Sequence, residues 1–149
     1  MKMLIATDGS KSSNKAIDYA INIAAKTGAE VLGLYVINMK SLELFALGHH
    51  DNVASYEDEN AKLRREGEEA LAYLKEQGAK AGVKVSAIIA RGYPVDEIIK
   101  TAEKENVSMI IVGNIGKTGL EHMLLGSVSE SVVRKATRPV LVVRGETRL

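Results

Sequence analysis

Cysteine is absent from the 149 residues, which excludes disulfides, thiolate catalysis and zinc sites built on sulfur. Long apolar runs are absent as well. None approaches the ~18 residues of a membrane-spanning helix, and the start, Met1-Lys-Met-Leu-Ile-Ala-Thr7, lacks the apolar region of about 7–15 residues that marks a signal peptide. A cytoplasmic protein is the expectation. An excess of either charge is missing too: the formal net charge of +1 argues against a broad basic face for nucleic acid or anionic lipid, so any anion must be gripped locally. With 46% hydrophobic and 26% charged residues the composition is that of a globular chain, and its length suits one domain spanning residues 1–149.

What is present is a regular alternation of short apolar runs and amphipathic stretches. Met3-Leu-Ile-Ala6 reads as a first strand that stops at the turn-forming cluster Thr7-Asp8-Gly9-Ser10. Ser12 or Ser13 is expected to cap the next helix, whose stripe Ile17, Ala20, Ile21, Ala24 runs until Thr27-Gly28. Val31–Ile37 is a second strand, apolar on both faces as a central parallel strand should be. Glu57–Gln77 carries charges of both signs around Leu63, Ala70, Leu71 and Leu74, the pattern of a long amphipathic helix closing near Gly78 or Gly82. Val83–Ala90 is a third strand, with Lys84 and Ser86 alternating with valines as near a sheet edge.

Pro94 opens a helix with the stripe Val95, Ile98, Ile99, Ala102, and Ser108–Val112 is a fourth strand. In the helix after the glycine loop, Val128, Val132, Val133 and Ala136 are placed on one face, and Val140–Val143 forms a fifth strand beyond Arg138-Pro139. This order implies an α/β fold, a five-stranded parallel open sheet with helices on both faces. Ligands in such sheets lie beyond the carboxyl ends of strands where the strand order reverses, and the first and fourth strands are the natural pair, setting Asp8 opposite Gly113.

The stretch Gly113-Asn-Ile-Gly116, nine residues, then Gly126-Ser127 lies between the fourth strand and the last helix. Glycines there let backbone approach a ligand, and the helix start offers N–H groups to an anion. Two familiar phosphate motifs fail. Gly116-Lys117-Thr118 has the end of a Walker loop, but Ile111 stands where its first glycine is needed, and the Gly113, Gly116, Gly119 spacing has no Gly-x-Gly step of a dinucleotide fingerprint.

With Gly113, Gly116, Gly126 and Ser127 the chain carries complete the Gly-x2-Gly-x9-Gly-Ser/Thr pattern, and it closely resembles the universal stress protein family, whose nucleotide-binding members show it. The resemblance spans essentially the whole chain. It includes Ala6-Thr-Asp-Gly-Ser10, Tyr35-Val-Ile37, Gly126-Ser-Val-Ser-Glu130 and Arg138-Pro-Val-Leu-Val-Val-Arg144. It implies a Rossmann-like fold of the adenine nucleotide alpha hydrolase type and an ATP-binding stress-response or signalling module. By the same resemblance, backbone near Val36 reads the adenine edge. Ala6, Thr7, Asp8 and the Val112-Gly113 backbone lie near adenosine and ribose, and Gly116, Gly126, Ser127, Val128 and Ser129 line the phosphates. A divalent cation, Mg or Mn, would ride mainly on the phosphates, since no dedicated carboxylate cage is visible. Ile115 stands where family members often have a polar residue, so side-chain contact from that position is not implied.

Plainer roles stand beside these. Ser127-Val-Ser-Glu130 has the form of a capping box, and Ser127 taken alone is assigned to capping its own helix, a role compatible with phosphate contact. Asp8 before Gly9-Ser10 also suits a turn. Lys117 fits charge neutralisation or plain solvation, His122 is read as a surface or packing residue, and His49-His50-Asp51 as a polar loop rather than a metal site. Met39, Leu42, Leu44, Phe45 and Leu47 form an apolar cluster in the long connection after strand two, with three uses open: lining the pocket, packing on the sheet, or meeting another subunit.

The fifth strand, apolar on both faces at an edge, calls for a cover, and the resemblance points to a homodimer through Val140–Val143. No convincing base or arginine near the loop is available for hydrolysis, so a binding module with at most slow turnover is expected. The alternatives are an adenylyl- or phosphoryl-transferring enzyme and a dimerisation module without nucleotide. No nucleic-acid or membrane partner is expected.

Overall fold

Met3, Leu4 and Ile5, none with measurable exposure, form the middle of β1 (Lys2–Ala6), the central strand of a five-stranded parallel sheet ordered β3-β2-β1-β4-β5. The computed structural model describes residues 1–48, 53–115 and 125–145. The other strands are β2 (Glu30–Asn38), β3 (Val85–Gly92), β4 (Met109–Gly113) and β5 (Val140–Val143), and the helices are α1 (Lys11–Thr27), α2 (Met39–Gly48), α3 (Val53–Ala81), α4 (Pro94–Lys104) and α5 (Ser127–Lys135). Burial of both sheet faces explains why the central strands are apolar without alternation. One face packs against Ile17, Ala20 and Ile21 of α1, Leu42 of α2, and Ala70, Leu71 and Leu74 of α3. The other packs against Ile98 and Ala102 of α4 and Val132 of α5. The expected α/β architecture is present, with β3 and β5 at the edges and β1 beside β4.

Local differences from the sequence reading have physical causes. The cap of α1 is Ser10, whose Oγ accepts from the Ser13 N–H at 3.1 Å, and neither Ser12 nor Ser13 caps it. Both are buried, their hydroxyls turned to partners off the helix, so the buried stripe starts on serines that an apolar pattern does not count. Gly28, at φ 77°, ends α1 as expected.

The connection after β2 is not a loop at its start: Met39–Gly48 is helical, with Leu42 buried in the core while Leu44 and Leu47 are exposed. Of the three uses left open for the cluster, Leu42 packs on the sheet. α3 is longer at both ends than Glu57–Gln77 because its outer turns carry no apolar stripe to reveal them. It sits close on β2, where Gly67 faces the Tyr35 ring and a Cβ would come within 2.5 Å of it. In α5 the inward face is Ser129 and Val132, and Val128 and Val133 are exposed, so the assigned four-residue apolar face is not formed; Ala136 is the residue after the helix. A polar side chain occupies the inward position because it has a bond to make there.

Candidate nucleotide site

The carboxyl ends of β1 and β4 lie side by side, with Ile5 paired to Ile111, and continuing this register brings Thr7 alongside Gly113. The sequence turns sharply here because its polar side chains take over backbone bonding. Thr7 Oγ1 accepts from the Gly9 N–H at 3.1 Å, and Asp8 Oδ1 accepts from the Ser10 N–H at 3.0 Å, an Asx-turn. Ser10 Oγ donates to Ser13 Oγ at 3.1 Å, and Ser13 Oγ donates in turn to Asp8 Oδ1 at 2.8 Å. The Asp8 N–H closes the circuit on Ser13 Oγ at 3.3 Å. Every hydroxyl in this chain has one acceptor, so the carboxylate is held in a single orientation at the start of α1. The turn role of Asp8 is therefore real, and it presents the side chain at the strand end at the same time.

Across the seam the frame is built on Gly113 and Asn114. Gly113 is glycine because of α1: a Cβ would come within 2.6 Å of Ser12 Oγ and 3.0 Å of the Ser12 carbonyl carbon and oxygen. The Ser129 Oγ donates to the Gly113 carbonyl at 2.6 Å, pinning the start of α5 to the end of β4. Gly126 is the N-cap of α5 and makes no side-chain cap; Ser127 is the first helical residue, exposed, and does not form the capping box. Helix geometry leaves the N–H groups of Ser127, Val128 and Ser129 without carbonyl partners inside the helix. The Gly126 N–H is already taken, bonded to the Asn114 carbonyl at 2.6 Å. Glu130 in the first turn of α5 faces Arg134 in an exposed ion pair.

Strand parity decides which backbones reach the seam. The Thr7 N–H donates to Leu34 O, whereas the Val31 N–H donates to Lys84 O, so even-numbered β2 residues face β1 and odd-numbered ones face β3. Val36, half-buried, therefore turns its peptide groups toward β1, just beyond the end of that strand. On β4, Ile110 and Asn114 donate to Pro139 O and Val143 O of the β5 side, which turns Gly113 to β1 and Val112 to β5. Val112 is thus placed differently from the rest: its ladder bonds face away from the seam and its side chain is buried. Ala6 ends β1 half-buried against the α4–α5 side of the sheet. Gly116, Lys117, Gly119 and His122, like His49, His50 and Asp51, lie outside the described residues.

A cleft of about 360 Å³ opens on the α3 side of Asp8, lined also by Gly9, Asn14, Glu66, Glu69, Ala70 and Tyr73. Three carboxylates make it hostile to phosphate. Beneath it Tyr35 is buried; its phenol is pushed up to about 12, first by burial and then by the charges of Glu66 and Asp8. The electrostatic division of the seam is clear: acid on the α3 side, the positive end of the α5 dipole on the other. Among the described residues no group of three or more His, Asp or Glu is arranged to hold a metal ion, and no helix is long and apolar enough to cross a membrane.

Sequence reasoning missed Asn114, buried at 2% exposure and bonded through its N–H, its carbonyl and its Oδ1, and the serine trio of α1. A signal existed for both: a lone amide right after a buried strand, and Ser10-Lys-Ser-Ser13 ahead of a helical stripe.

Known proteins match this chain in both sequence and fold. It is 42% identical over 144 residues to universal stress protein MJ0531 of Methanocaldococcus jannaschii, covering 96% of this chain and 81% of that one. The solved structure of MJ0577 from the same organism superposes with a TM-score of 0.81 at 33% identity, covering 99% of this chain and 97% of that one. The crystal structure of a universal stress protein in complex with cAMP superposes at 0.68 with 27% identity, covering 98% of each. The sequence profile of the universal stress protein family matches residues 1–144, and the chain belongs to that family.

Proposed function

We propose that this protein binds ATP across the β1/β4 seam and acts as a nucleotide-dependent stress-response or signalling module. The observation that carries the reading is the pairing of an oriented carboxylate, Asp8, with the start of α5 on the far side of one seam. A carboxylate accepts hydroxyl hydrogen bonds, as a ribose offers, and the N–H groups of Ser127, Val128 and Ser129 with the Ser127 hydroxyl suit phosphate oxygens. Thr7 and Ala6 line the strand end, and the Val36 peptide suits an adenine edge, which offers both a donor and an acceptor. The acidic cleft beside Glu66 and Glu69 favours the orientation with phosphates toward α5. Gly116 completes the cradle in this reading. A relative solved with cAMP supports an adenine nucleotide as the ligand class. Magnesium or manganese would be held chiefly by the phosphates, where it would neutralise their charge.

The β5 edge belongs to the same proposal. Pro139 and Val143 give their carbonyls to β4, so Val140 and Val142 turn their peptide groups outward. Pairing of this edge with its own copy about a two-fold axis would satisfy them and cover the half-buried apolar strand.

Calorimetric titration of the purified chain with ATP and magnesium tests the reading, together with mass spectrometry of any ligand released on denaturation. One ATP retained per chain without turnover is the expected result. Sustained nucleotide cleavage stimulated by a second substrate points instead to a transferring enzyme, and dimerisation without nucleotide binding to a plain assembly module.

A further inference from the structure

Asn114 sits between the anion cradle and the β5 edge. Its Oδ1 accepts two bonds from separate segments: from Ser12 Oγ of α1 at 3.1 Å and from the N–H of Gly145, beyond β5, at 3.2 Å. Its own N–H donates to the Val143 carbonyl at 2.9 Å, and its carbonyl accepts from Gly126 at the cap of α5 at 2.6 Å. With 2% exposure these groups have little access to water, so giving up any of these bonds carries the full cost of an unmade buried hydrogen bond. A shift of the α5 start toward an anion must then be passed on to Val143 and Gly145, or be resisted by them.

We propose that Asn114 is a positioning residue that couples anion binding at the α5 start to pairing of the β5 edge with a second copy of the chain. The inference rests on the nucleotide site and the β5 dimer proposed above. Coupling of this kind is reciprocal: whatever factor ATP adds to dimer affinity, dimerisation adds to ATP affinity. The amide is suited to the task because it offers a neutral acceptor to two segments at once. An aspartate keeps both accepted bonds while adding a charge beside the anion, and an alanine keeps neither.

The test uses the full chain and reads the monomer–dimer constant by sedimentation equilibrium, without nucleotide and with saturating ATP and magnesium, with calorimetry confirming ATP occupancy. In the unaltered protein ATP changes the constant by about fivefold or more. Asn114→Ala keeps the backbone bonds to Gly126 and Val143 but loses the Oδ1 hold on Ser12 and Gly145, so the difference between the two constants shrinks although ATP still binds and dimers still form. Asn114→Asp keeps the difference but needs more ATP to show it. A dimer constant indifferent to bound ATP in the unaltered protein, or a full difference in Asn114→Ala, overturns the proposal. Should that variant not fold, Ser12→Ala removes just one of the two accepted bonds and must reduce the difference; an undiminished one overturns the proposal equally. Calorimetry showing no ATP binding, or sedimentation showing no dimer, removes the underlying reading itself and is told apart from loss of coupling by that measurement.

Discussion

Ser12 of α1 lies so close to Gly113 of β4 that a methyl group on the glycine would come within 2.6 Å of the serine Oγ and 3.0 Å of its carbonyl. The first glycine of the motif is therefore required by a helix, independently of any ligand. Gly113→Ala should cost about 1–3 kcal/mol of stability, the usual penalty for overfilling a packed contact. Urea unfolding measures it, and an unchanged midpoint would contradict the contact.

Gly126 is a different kind of glycine. Its φ of −76° is open to any residue, so a side chain there meets no backbone penalty. Gly126 is buried, so Gly126→Leu should weaken ATP by about tenfold or more by crowding the α5 start and should also lower the unfolding midpoint. Circular dichroism with calorimetry distinguishes the two effects. Full affinity in a folded variant would move the phosphates elsewhere.

Asp8→Ala removes a charged acceptor and the anchor of the Ser10–Ser13 circuit. Loss of a hydrogen bond to a charged group is worth about 1.5–3 kcal/mol, or roughly tenfold to a hundredfold in affinity. The loss should fall on ATP and spare inorganic triphosphate. Equal losses for both in parallel titrations would reverse the proposed orientation.

The Tyr35 phenol provides a test by pH. It ionises near 12 in the folded protein, burial being the largest cause, and near 10 in an unfolded chain. Below about pH 10 both states hold the proton and the full stabilising effect is present. Between 10 and 12 the unfolded chain ionises first, so stability falls as pH rises through the folded value. Tyr35→Phe should lose less stability across that window than the unaltered protein. Tyr73, also pushed up to about 12 by burial and its bond to Asp18, leaves a residual slope in both. Parallel slopes for the two proteins in alkaline urea unfolding would sink this assignment.

At the β5 edge, Val142→Pro removes an outward-facing N–H while sparing the bonds that Pro139 and Val143 give to β4. Light scattering should show dimers in the unaltered protein at micromolar concentration and mainly monomers in the variant. A monomer in both would remove the proposed interface.

The architecture was legible because each apolar run had enough length and punctuation to reveal itself. Val31–Ile37 is buried on both sides, Gly28 and Pro94 mark helix ends by backbone geometry, and the alternation of strands and helices points to a parallel sheet, in which the first and fourth strands are expected as neighbours. Serine was where the reading failed. Ser12, Ser13 and Ser129 are interior residues whose hydroxyls find partners in Asn114, Asp8 and the Gly113 carbonyl respectively, and hydropathy counts them as outward. Ser127, expected to cap, does not, because Gly126 takes the cap position and the polar inward site belongs to Ser129. The helix Met39–Gly48 was hidden for a similar reason: with Leu42 the only fully buried member of its cluster, it has little of the stripe that periodicity detects. Asn114 was visible as a letter between two glycines, but its role depends on chain segments before and after it that only the fold brings together.

The register of β1 carries one more consequence. Met3 pairs on one side with Val31 and on the other with Met109, so one neighbour is near in the chain and the other lies most of its length away. Closing the distant pairing costs more chain entropy than closing the near one. A ligand seated on Asp8 and the start of α5 would span this second closure, working as a non-covalent staple between the two halves of the chain. At a hundred times its dissociation constant such a ligand would add about 2.7 kcal/mol to the folded state. Nucleotide supply would then govern how long this protein survives proteolysis as well as what it binds.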